Sequence, residues 1–307
     1  MKSIIYVCPT NKDKPSGGVK IIYRHSEILN KLLKKESDCK IFHFEDFNFE
    51  CSWFEHKANF KKNSSFYPDK EFVIIPEWMA VYHAKIFQKK RVNYGIFVQN
   101  GFYLNTRPKN NFTDEEIEDA YEKAKIIISY SEEINECIKL TFPKSANKIF
   151  KINISVDSKK FEYTKEIAKN KENLITYMPR KNRNHADKLV FILKRHLSKN
   201  WKIKTLDNLT EAEIIKFLKK SKIFLSFSEL EGFGLPPVEA ALSGNAVIGY
   251  TGESGKEYWR TPIFDEVFSG DLRTFANKVI NKVKEFEKNN YIFDKFEPYI
   301  SKLADKY

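Results

Sequence analysis

Residues 225–258 read LSFSELEGFGLPPVEAALSGNAVIGYTGESGKEY. The apolar run that ends at Phe227 predicts a buried strand, and the polar residues after it predict a loop. A short helix over residues 238–242 follows, Gly244 ends it, and residues 246–248 predict a second strand. This strand–loop–helix–strand order is typical of parallel sheets in α/β proteins, which bind ligands at the carboxyl ends of their strands.

The loop and the helix start of this stretch carry two kinds of binding group. Gly232 and Gly234 let the backbone approach a ligand closely, and the first N–H groups of a helix bind anions such as phosphate. Glu231 and Glu239, with seven residues between them, would be repelled by phosphate and are suited instead to accepting hydrogen bonds from sugar hydroxyls. Considered singly, Glu231 would be an ordinary surface acid, and Glu239 an acid favoured by the helix dipole.

The stretch as a whole resembles the signature of retaining glycosyltransferases of family 4. The resemblance is carried by Glu231, by GFGLPPVEA at residues 232–240, by Gly244 and by TGESGKEY at residues 251–258. It implies the GT-B architecture, an α/β fold with two facing Rossmann-like domains, parallel sheets and an interdomain cleft. It also implies that Glu231 contacts the donor sugar in catalysis and that Glu239 holds the ribose hydroxyls. The donor-binding residues between them, acting through backbone amides, are Gly232, Phe233, Gly234 and Leu235.

A basic run, PRKNR at residues 179–183, follows the first predicted strand of the second half. Cations packed at the carboxyl end of a strand form a clamp for a diphosphate. The resemblance implies that Arg180 neutralises the donor pyrophosphate and assists the leaving group in catalysis. Family members carry a lysine five residues after the arginine, but His185 stands there, so Lys181 and Arg183 are the substitute donor-binding residues. A solvated basic loop is the alternative interpretation.

The first half begins with a predicted strand over residues 3–8, a turn-rich loop and a helix. The loop ends in Gly17 and Gly18, which the resemblance places near the donor phosphate and the acceptor. An ordinary strand–helix turn is the alternative. The G-x-G-x-x-G spacing of nicotinamide and flavin sites is absent.

Polar residues past the ends of two predicted strands in the first half are candidates for the acceptor site. They are Glu77, Gln99 and Asn100, and parallel sheets bind their ligands at such positions. His83 is a further candidate, because many members of the family place a histidine near the donor sugar. It lies within a helical pattern, and a buried structural histidine is the alternative.

The length of 307 residues and the two α/β series predict two domains. We expect an N-terminal acceptor domain over residues 1–157 and a C-terminal nucleotide-sugar donor domain over residues 158–289. Residues 158–172, rich in lysine and glutamate, predict a solvated linker at the start of the second domain. The tail, residues 290–307, is expected to pack back on the first domain, as in other GT-B proteins.

The composition predicts a folded cytoplasmic protein. Hydrophobic residues make up 42% of the chain, yet none of the apolar runs approaches the roughly 18 residues of a membrane helix. Cys8, Cys39, Cys51 and Cys137 are far apart, which indicates reduced thiols rather than a zinc site. The sequence has no Asp-x-Asp pair. We therefore expect no metal and no other cofactor, with a nucleoside-diphosphate sugar as co-substrate.

The net charge of +12 comes mainly from lysine pairs scattered along the chain. A nucleic-acid-binding surface would concentrate these cations on one element, so we expect no nucleic-acid partner. A solvated lysine-rich surface explains the charge. Peripheral contact with anionic lipid at the inner face of the membrane, where a lipid-linked acceptor would lie, remains open.

The sequence thus predicts a retaining, hexosyltransferase-type glycosyltransferase. It would move a sugar from a nucleoside-diphosphate sugar to a glycan or lipid-linked acceptor in surface polysaccharide synthesis. One alternative is a non-catalytic GT-B-like subunit that binds a nucleotide or a sugar, and another is a basic nucleic-acid-binding protein. A GT-B-like epimerase would use the same fold, whereas a phosphorylase would need a pyridoxal lysine motif that the sequence lacks.

Overall fold

The predicted alternation of strands and helices is present in the computed structural model, which describes residues 3–12, 16–33, 37–105, 112–288 and 290–307. The chain divides into two units, residues 1–155 and residues 156–307. Each unit contains one parallel sheet, with seven strands in the first and five in the second. The α/β class with two parallel sheets is therefore confirmed.

The first unit is built around the seven-stranded sheet, whose strand order is β3-β2-β1-β4-β5-β6-β7. Its elements in chain order are β1 (Ser3–Cys8), α1 (Gly17–Leu32), β2 (Asp38–His43), β3 (Asn59–Phe60), β4 (Glu71–Pro76), α2 (Ala80–Lys89), β5 (Asn93–Phe97), α3 (Asp114–Lys123), β6 (Ile127–Ser129), α4 (Glu132–Thr141) and β7 (Ile149–Lys151). The strand order reverses between β1 and β4, and such a switch point opens a crevice at the carboxyl edge of a sheet.

The second unit follows the same plan, with strand order β12-β11-β10-β8-β9. Its elements are α5 (Lys165–Lys169), β8 (Glu172–Tyr177), α6 (Arg183–Leu193), β9 (Lys202–Thr205), α7 (Glu211–Lys220), β10 (Ser221–Glu231), α8 (Leu235–Leu242), β11 (Ala246–Glu253), β12 (Phe264–Glu266), α9 (Leu272–Lys288) and α10 (Glu297–Lys306). The first seven residues of β10 are all buried, as expected for a central strand covered on both faces.

Helix starts follow the capping signals of the sequence. The hydroxyls of Thr113 and Thr210 accept hydrogen bonds from the backbone N–H groups of Glu116 and Glu213, which complete two capping boxes. The hydroxyl of Ser131 caps α4 in the same way. The short strands β3 and β12 were not predicted, because two and three residues are too few for a periodic pattern.

The prediction of a solvated linker over residues 158–172 is wrong in part. The segment contains α5, the ring of Phe161 is buried, and Lys171 is buried directly before β8. The ammonium of Lys171 donates hydrogen bonds to the carbonyls of Leu218 and Ser221. A lysine, which is usually exposed, is therefore part of the interior here.

The C-terminal tail has its described packing contacts in the second unit, and its packing on the first domain stays a prediction. Helix α10 packs on α8. The ring of Tyr307 lies 4.9 Å from that of Phe233, and its carbonyl accepts a hydrogen bond from the N–H of Val156. The tail thus contributes an apolar face to the second unit.

All four cysteines are free thiols, three of them buried. Within the described ranges, none of the helices combines the length and the apolar character needed to cross a bilayer.

The pairing of β10 with β11 requires a glycine at position 249. Gly249 has φ +137°, and a Cβ atom there would lie 2.1 Å from the carbonyl oxygen of Ser226 and 2.7 Å from Cζ of Phe275. Gly270 also has a positive φ, of +90°, but a Cβ there would meet nothing within 4 Å. Both positions would strain a larger residue's backbone, but only position 249 is also sterically crowded. Comparing substitutions at the two glycines therefore separates the cost of crowding from the cost of strain.

We predict that Gly249→Ala lowers the free energy of unfolding by at least about 3 kcal/mol more than Gly270→Ala does, because only the first substitution forces backbone atoms apart. Gly270→Ala should cost only about 1–2 kcal/mol of left-handed strain. Urea unfolding followed by circular dichroism measures both. Equal losses for the two variants would contradict the close approach of β10, β11 and α9.

Candidate functional site

Two of the predicted site residues meet at the carboxyl edge of the second sheet. Lys181 follows β8, Glu231 ends β10, and these strands are parallel neighbours. Lys181 Nζ lies 3.2 Å from Glu231 Oε1, and the two side chains are 29% and 21% exposed. The structure thus joins one cation of the basic run to the first glutamate of the signature, and both side chains are partly exposed to solvent.

The loop from Glu231 to Gly234 is held by hydroxyl groups that come from residues after β11. Ser254 Oγ donates to the carbonyl of Glu231 over 2.6 Å. Tyr258 Oη lies 2.9 Å from the carbonyl oxygen of Phe233 and 3.0 Å from that of Gly234. Ser254 and Tyr258 were not among the predicted site residues, although both lie in the quoted TGESGKEY segment.

These hydrogen bonds set the direction of the neighbouring amides. In a planar trans peptide, the N–H of each residue points opposite to the carbonyl of the residue before it. The N–H groups of Gly232, Gly234 and Leu235 therefore point away from Ser254 and Tyr258. They are three of the four backbone groups that the resemblance assigns to the donor sugar and phosphate.

Gly234 starts α8 in a left-handed conformation, with φ +84° and ψ 69°. A Cβ there would lie 3.0 Å from Tyr258 Oη, so the same tyrosine restricts this position. The ring of Phe233 is buried between those of Tyr258 and Tyr307. Any ligand contact of Phe233 would therefore come from its backbone. Glu239 lies about one turn into α8 and is half-buried.

The other residues of the basic run do not form one clamp. Arg180 is exposed. Arg183 forms an ion pair with Asp207, which follows β9, at 2.5 Å. His185, at the place of the family's lysine, has Nδ1 3.1 Å from Tyr250 Oη. The pairing of Arg183 with Asp207 was not predicted, since the two are far apart in sequence.

The candidates in the first unit lie together after β4 and β5 and at the start of α1. The two carboxylate oxygens of Glu77 accept hydrogen bonds from the N–H groups of Gln99 and Asn100, both at 3.1 Å. Gln99 Nε2 donates to the carbonyl of Gly18 over 2.9 Å. A Cβ at Gly18 would lie 2.5 Å from Gln99 Oε1, so a larger residue there would displace the end of the Gln99 side chain. Gly17 is the first residue of α1.

Glu77 is buried, and burial raises the pKa of its carboxyl group to about 7. The hydrogen bonds that it accepts from backbone N–H groups lower the pKa, but by less than burial raises it. Its contacts fix the backbone of the loop after β5. Glu77 is therefore a residue that positions Gln99 and Asn100.

His83 is buried in α2, and its ring packs against Phe44 and Phe87. Its Nδ1 lies 3.3 Å from the carbonyl oxygen of Met79, and burial lowers the pKa of the imidazole to about 4. These surroundings are those of a structural histidine, the alternative that the sequence left open.

No group of three or more His, Cys, Asp or Glu side chains among the described residues is arranged to hold a metal ion. The carboxylates of the candidate site are instead engaged with cations or backbone. Glu231 pairs with Lys181, and Glu77 accepts from two N–H groups.

Comparisons with known proteins identify the fold. No family model matches the chain. A segment of 84 residues is 33% identical to an alpha-1,6-glucosyltransferase of Actinobacillus pleuropneumoniae serotype 7 (strain AP76), and it spans 26% of this chain and 26% of that protein. The chain thus matches only about a quarter of the length of this curated relative.

Solved structures match nearly the whole chain. Sucrose-phosphate synthase from Thermosynechococcus elongatus superposes with a TM-score of 0.67 and 10% identity, over 99% of this chain and 94% of that one. The catalytic domain of starch synthase IV from Arabidopsis thaliana, bound to ADP and acarbose, gives 0.63 and 11%, over 99% and 95%. These structural neighbours are GT-B glycosyltransferases, and the chain has their fold.

We predict that Glu77 makes stability fall as pH rises. Because its pKa is about 7 in the folded protein and its ordinary value is 4.5, the folded state binds more protons than the unfolded state between these pH values. The unfolding free energy should therefore fall by about 3 kcal/mol across this window on account of Glu77.

The Glu77→Gln variant should lack this decrease, because glutamine does not titrate. It should be less stable than the wild type at low pH, because the amide nitrogen of glutamine cannot accept a hydrogen bond from a backbone N–H. Denaturant unfolding at several pH values between 4.5 and 7 measures the slope, with exposed Glu166→Gln as the matched control. Identical slopes in wild type and Glu77→Gln would disprove the prediction.

Proposed function

We propose that this chain is a retaining glycosyltransferase that uses a nucleoside-diphosphate sugar. The observation that carries the proposal is the contact between Lys181 and Glu231, 3.2 Å apart, beside the oriented amides at the start of α8. The GT-B fold and the match to a glucosyltransferase over 84 residues support it. In this proposal Glu231 binds the donor sugar and Glu239 the ribose hydroxyls.

The proposed reaction breaks the bond between the anomeric carbon and the diphosphate oxygen, whose electrons leave with the nucleoside diphosphate. The acceptor hydroxyl forms the new bond on the face that the leaving group vacates, and its proton passes to the departing phosphate. Negative charge therefore develops on the diphosphate. Fixed cations and backbone N–H groups stabilise such charge without reorganising during the reaction.

Lys181 is the cation we assign to this task together with Arg180. An ammonium has three N–H groups, so Lys181 can keep Glu231 in position while donating to a phosphate oxygen. The N–H groups of Gly234 and Leu235 would add to this at the helix start. Because cationic side chains would take the place of a metal, we propose a metal-independent reaction.

We assign acceptor binding to the first unit, at the loops that carry Gly17, Gly18, Gln99 and Asn100. The acceptor class we propose is a glycan or a lipid-linked glycan in surface polysaccharide synthesis. A cytoplasmic location, with peripheral contact at the inner face of the membrane, would suit such an acceptor.

Thermal unfolding with a panel of nucleotides and nucleotide sugars tests the donor site. We expect one nucleoside diphosphate to stabilise the protein by about 2.7 kcal/mol at about 100 times its Kd, with or without EDTA. Glu239→Ala should remove the ribose contact and Lys181→Met the phosphate contact, so both should reduce the shift. Lys188→Met, exposed on α6, is the matched control.

The outcomes of this panel separate the candidate functions. Stabilisation together with release of free nucleoside diphosphate from one donor, and an unchanged anomeric configuration by NMR, would support the transferase. Stabilisation without turnover on any donor would favour a non-catalytic binding subunit, in line with the pairing of Arg183 to Asp207. If none of the nucleotides shifts the unfolding temperature, the donor site is refuted.

The hydroxyl of Tyr258 yields a separate prediction. Tyr258→Phe removes the donor to the carbonyls of Phe233 and Gly234, so the loop amides should lose their fixed direction. We expect the Kd for the stabilising nucleoside diphosphate to rise by about tenfold, which corresponds to about 1.4 kcal/mol. Isothermal titration calorimetry measures it, with Tyr299→Phe, exposed on α10, as control. Equal affinity in both variants would show that the hydroxyl does not position the loop.

A further inference from the structure

A cavity of about 450 Å³ lies at the amino-terminal edge of the second sheet. Its lining includes Lys165, Lys169, Lys171, Lys222, Phe293 and Asp294. Lys171 directly precedes β8 and Lys222 is the second residue of β10, while Lys181 and Glu231 lie at the opposite ends of these strands. The cavity is therefore separated from the candidate donor site by the length of the sheet.

Lys171 is buried, with 7% of its surface exposed, and its described partners are neutral. Nζ donates to the carbonyl of Ser221 over 2.6 Å and to that of Leu218 over 3.2 Å, at the carboxyl end of α7. It also lies 5.9 Å from the centre of the Phe293 ring. Two of the three N–H groups of this ammonium are used by the carbonyls at the end of α7, and the third is available to a ligand.

Lys222 is 9% exposed and lies close enough to Lys171 to repel its charge. Its Nζ donates to Asn173 Oδ1 over 2.7 Å. Within the described part of the chain, neither Lys171 nor Lys222 forms an ion pair. Buried lysines are seldom found without a carboxylate partner, because desolvating an ammonium is costly.

The carboxylates near the cavity are too few to balance its cations. Asp294 is part of the lining, and Glu297 lies 3.9 Å from the ammonium of Lys165 at the rim. Four lysines thus surround a space whose volume lies within the range of about 300–1,000 Å³ typical of small-molecule sites. Burial and the charge of Lys222 also lower the pKa of Lys171 well below its usual range, and a bound anion would reverse this effect.

We propose that this cavity binds a phosphate-bearing anion, a phosphate or diphosphate group, through Lys169, Lys171 and Lys222. Ammonium groups form short, charge-assisted hydrogen bonds with phosphate oxygens, and bonds of this kind would compensate the buried charges. The group could belong to a free phosphorylated molecule or to a phospholipid head group, since both present the same oxygens. The site does not depend on the transferase function proposed above.

Calorimetric titration of the full chain with inorganic diphosphate at low salt tests the site. We expect Lys169→Met combined with Lys222→Met to weaken this binding by about tenfold or more. The matched control is Lys188→Met combined with Lys194→Met, two exposed lysines on or directly after α6. Lys181→Met should leave the cavity's binding intact, because it removes a cation only at the opposite edge.

A replacement variant and one further measurement make the test specific. If Lys222→Met prevents folding, exposed Lys165→Met and Lys169→Met together replace it. Sedimentation of the wild-type chain with phosphatidic acid vesicles would assign the phosphate to a lipid, provided that the cavity double variant (Lys169→Met with Lys222→Met, or its replacement) no longer sediments with them. Binding of diphosphate but not vesicles would assign it to a soluble ligand.

Two outcomes would overturn the site. One is an isotherm that disappears in Lys181→Met and is unchanged in the lysine double variant, which would place all diphosphate binding at the opposite edge. The other is the absence of any saturable binding of diphosphate or vesicles by the folded wild-type chain.

Discussion

The hydrogen bonds from Ser254 and Tyr258 to the backbone between Glu231 and Gly234 are the interaction on which the candidate donor site depends. They fix three carbonyls and, through peptide planarity, the direction of three amides. The left-handed residue at the start of α8 is part of the same arrangement, because only glycine fits beneath the hydroxyl of Tyr258. A mobile loop could present the same amides only by losing conformational freedom each time it bound a ligand.

The two edges of the second sheet use lysine in opposite ways. At the carboxyl edge, Lys181 is partly exposed and faces a carboxylate, so its charge is compensated yet available. At the amino-terminal edge, Lys171 is buried against carbonyls beside another cation, so its charge is costly without an anion. Residue type alone therefore does not tell which lysines carry the electrostatics of this protein; burial and partners do.

The sequence predicted the repetitive part of the fold well, because local signals determine it. Apolar runs identify central strands such as β10, and the capping boxes at Thr113 and Thr210 form as the sequence indicates. Lys181 and Glu231 were each placed past the end of a predicted strand, which agrees with the structure, but their contact was not predicted.

What the sequence did not reveal depends on contacts between distant residues. Arg183 and Asp207 come from different strand ends, and their ion pair has no signal in either segment. Lys171 lies in a lysine-rich run that predicts exposed residues, but its side chain is buried and its ammonium donates hydrogen bonds to the carbonyls at the end of α7. Glu77 is a candidate for the acceptor site because it follows a strand, but the hydrogen bonds that its carboxylate accepts from the backbone of Gln99 and Asn100 have no signal in the sequence.

The packing of Tyr307 on Phe233 and Tyr258 has a thermodynamic consequence. Detachment of α10 by local unfolding would remove the ring of Tyr307 from its contact with Tyr258. It would thereby weaken the restraint on the two carbonyls to which Tyr258 is hydrogen-bonded. Opening of the tail and loosening of the loop are then linked equilibria. A ligand that binds only the ordered loop must slow hydrogen exchange in a helix that it never touches.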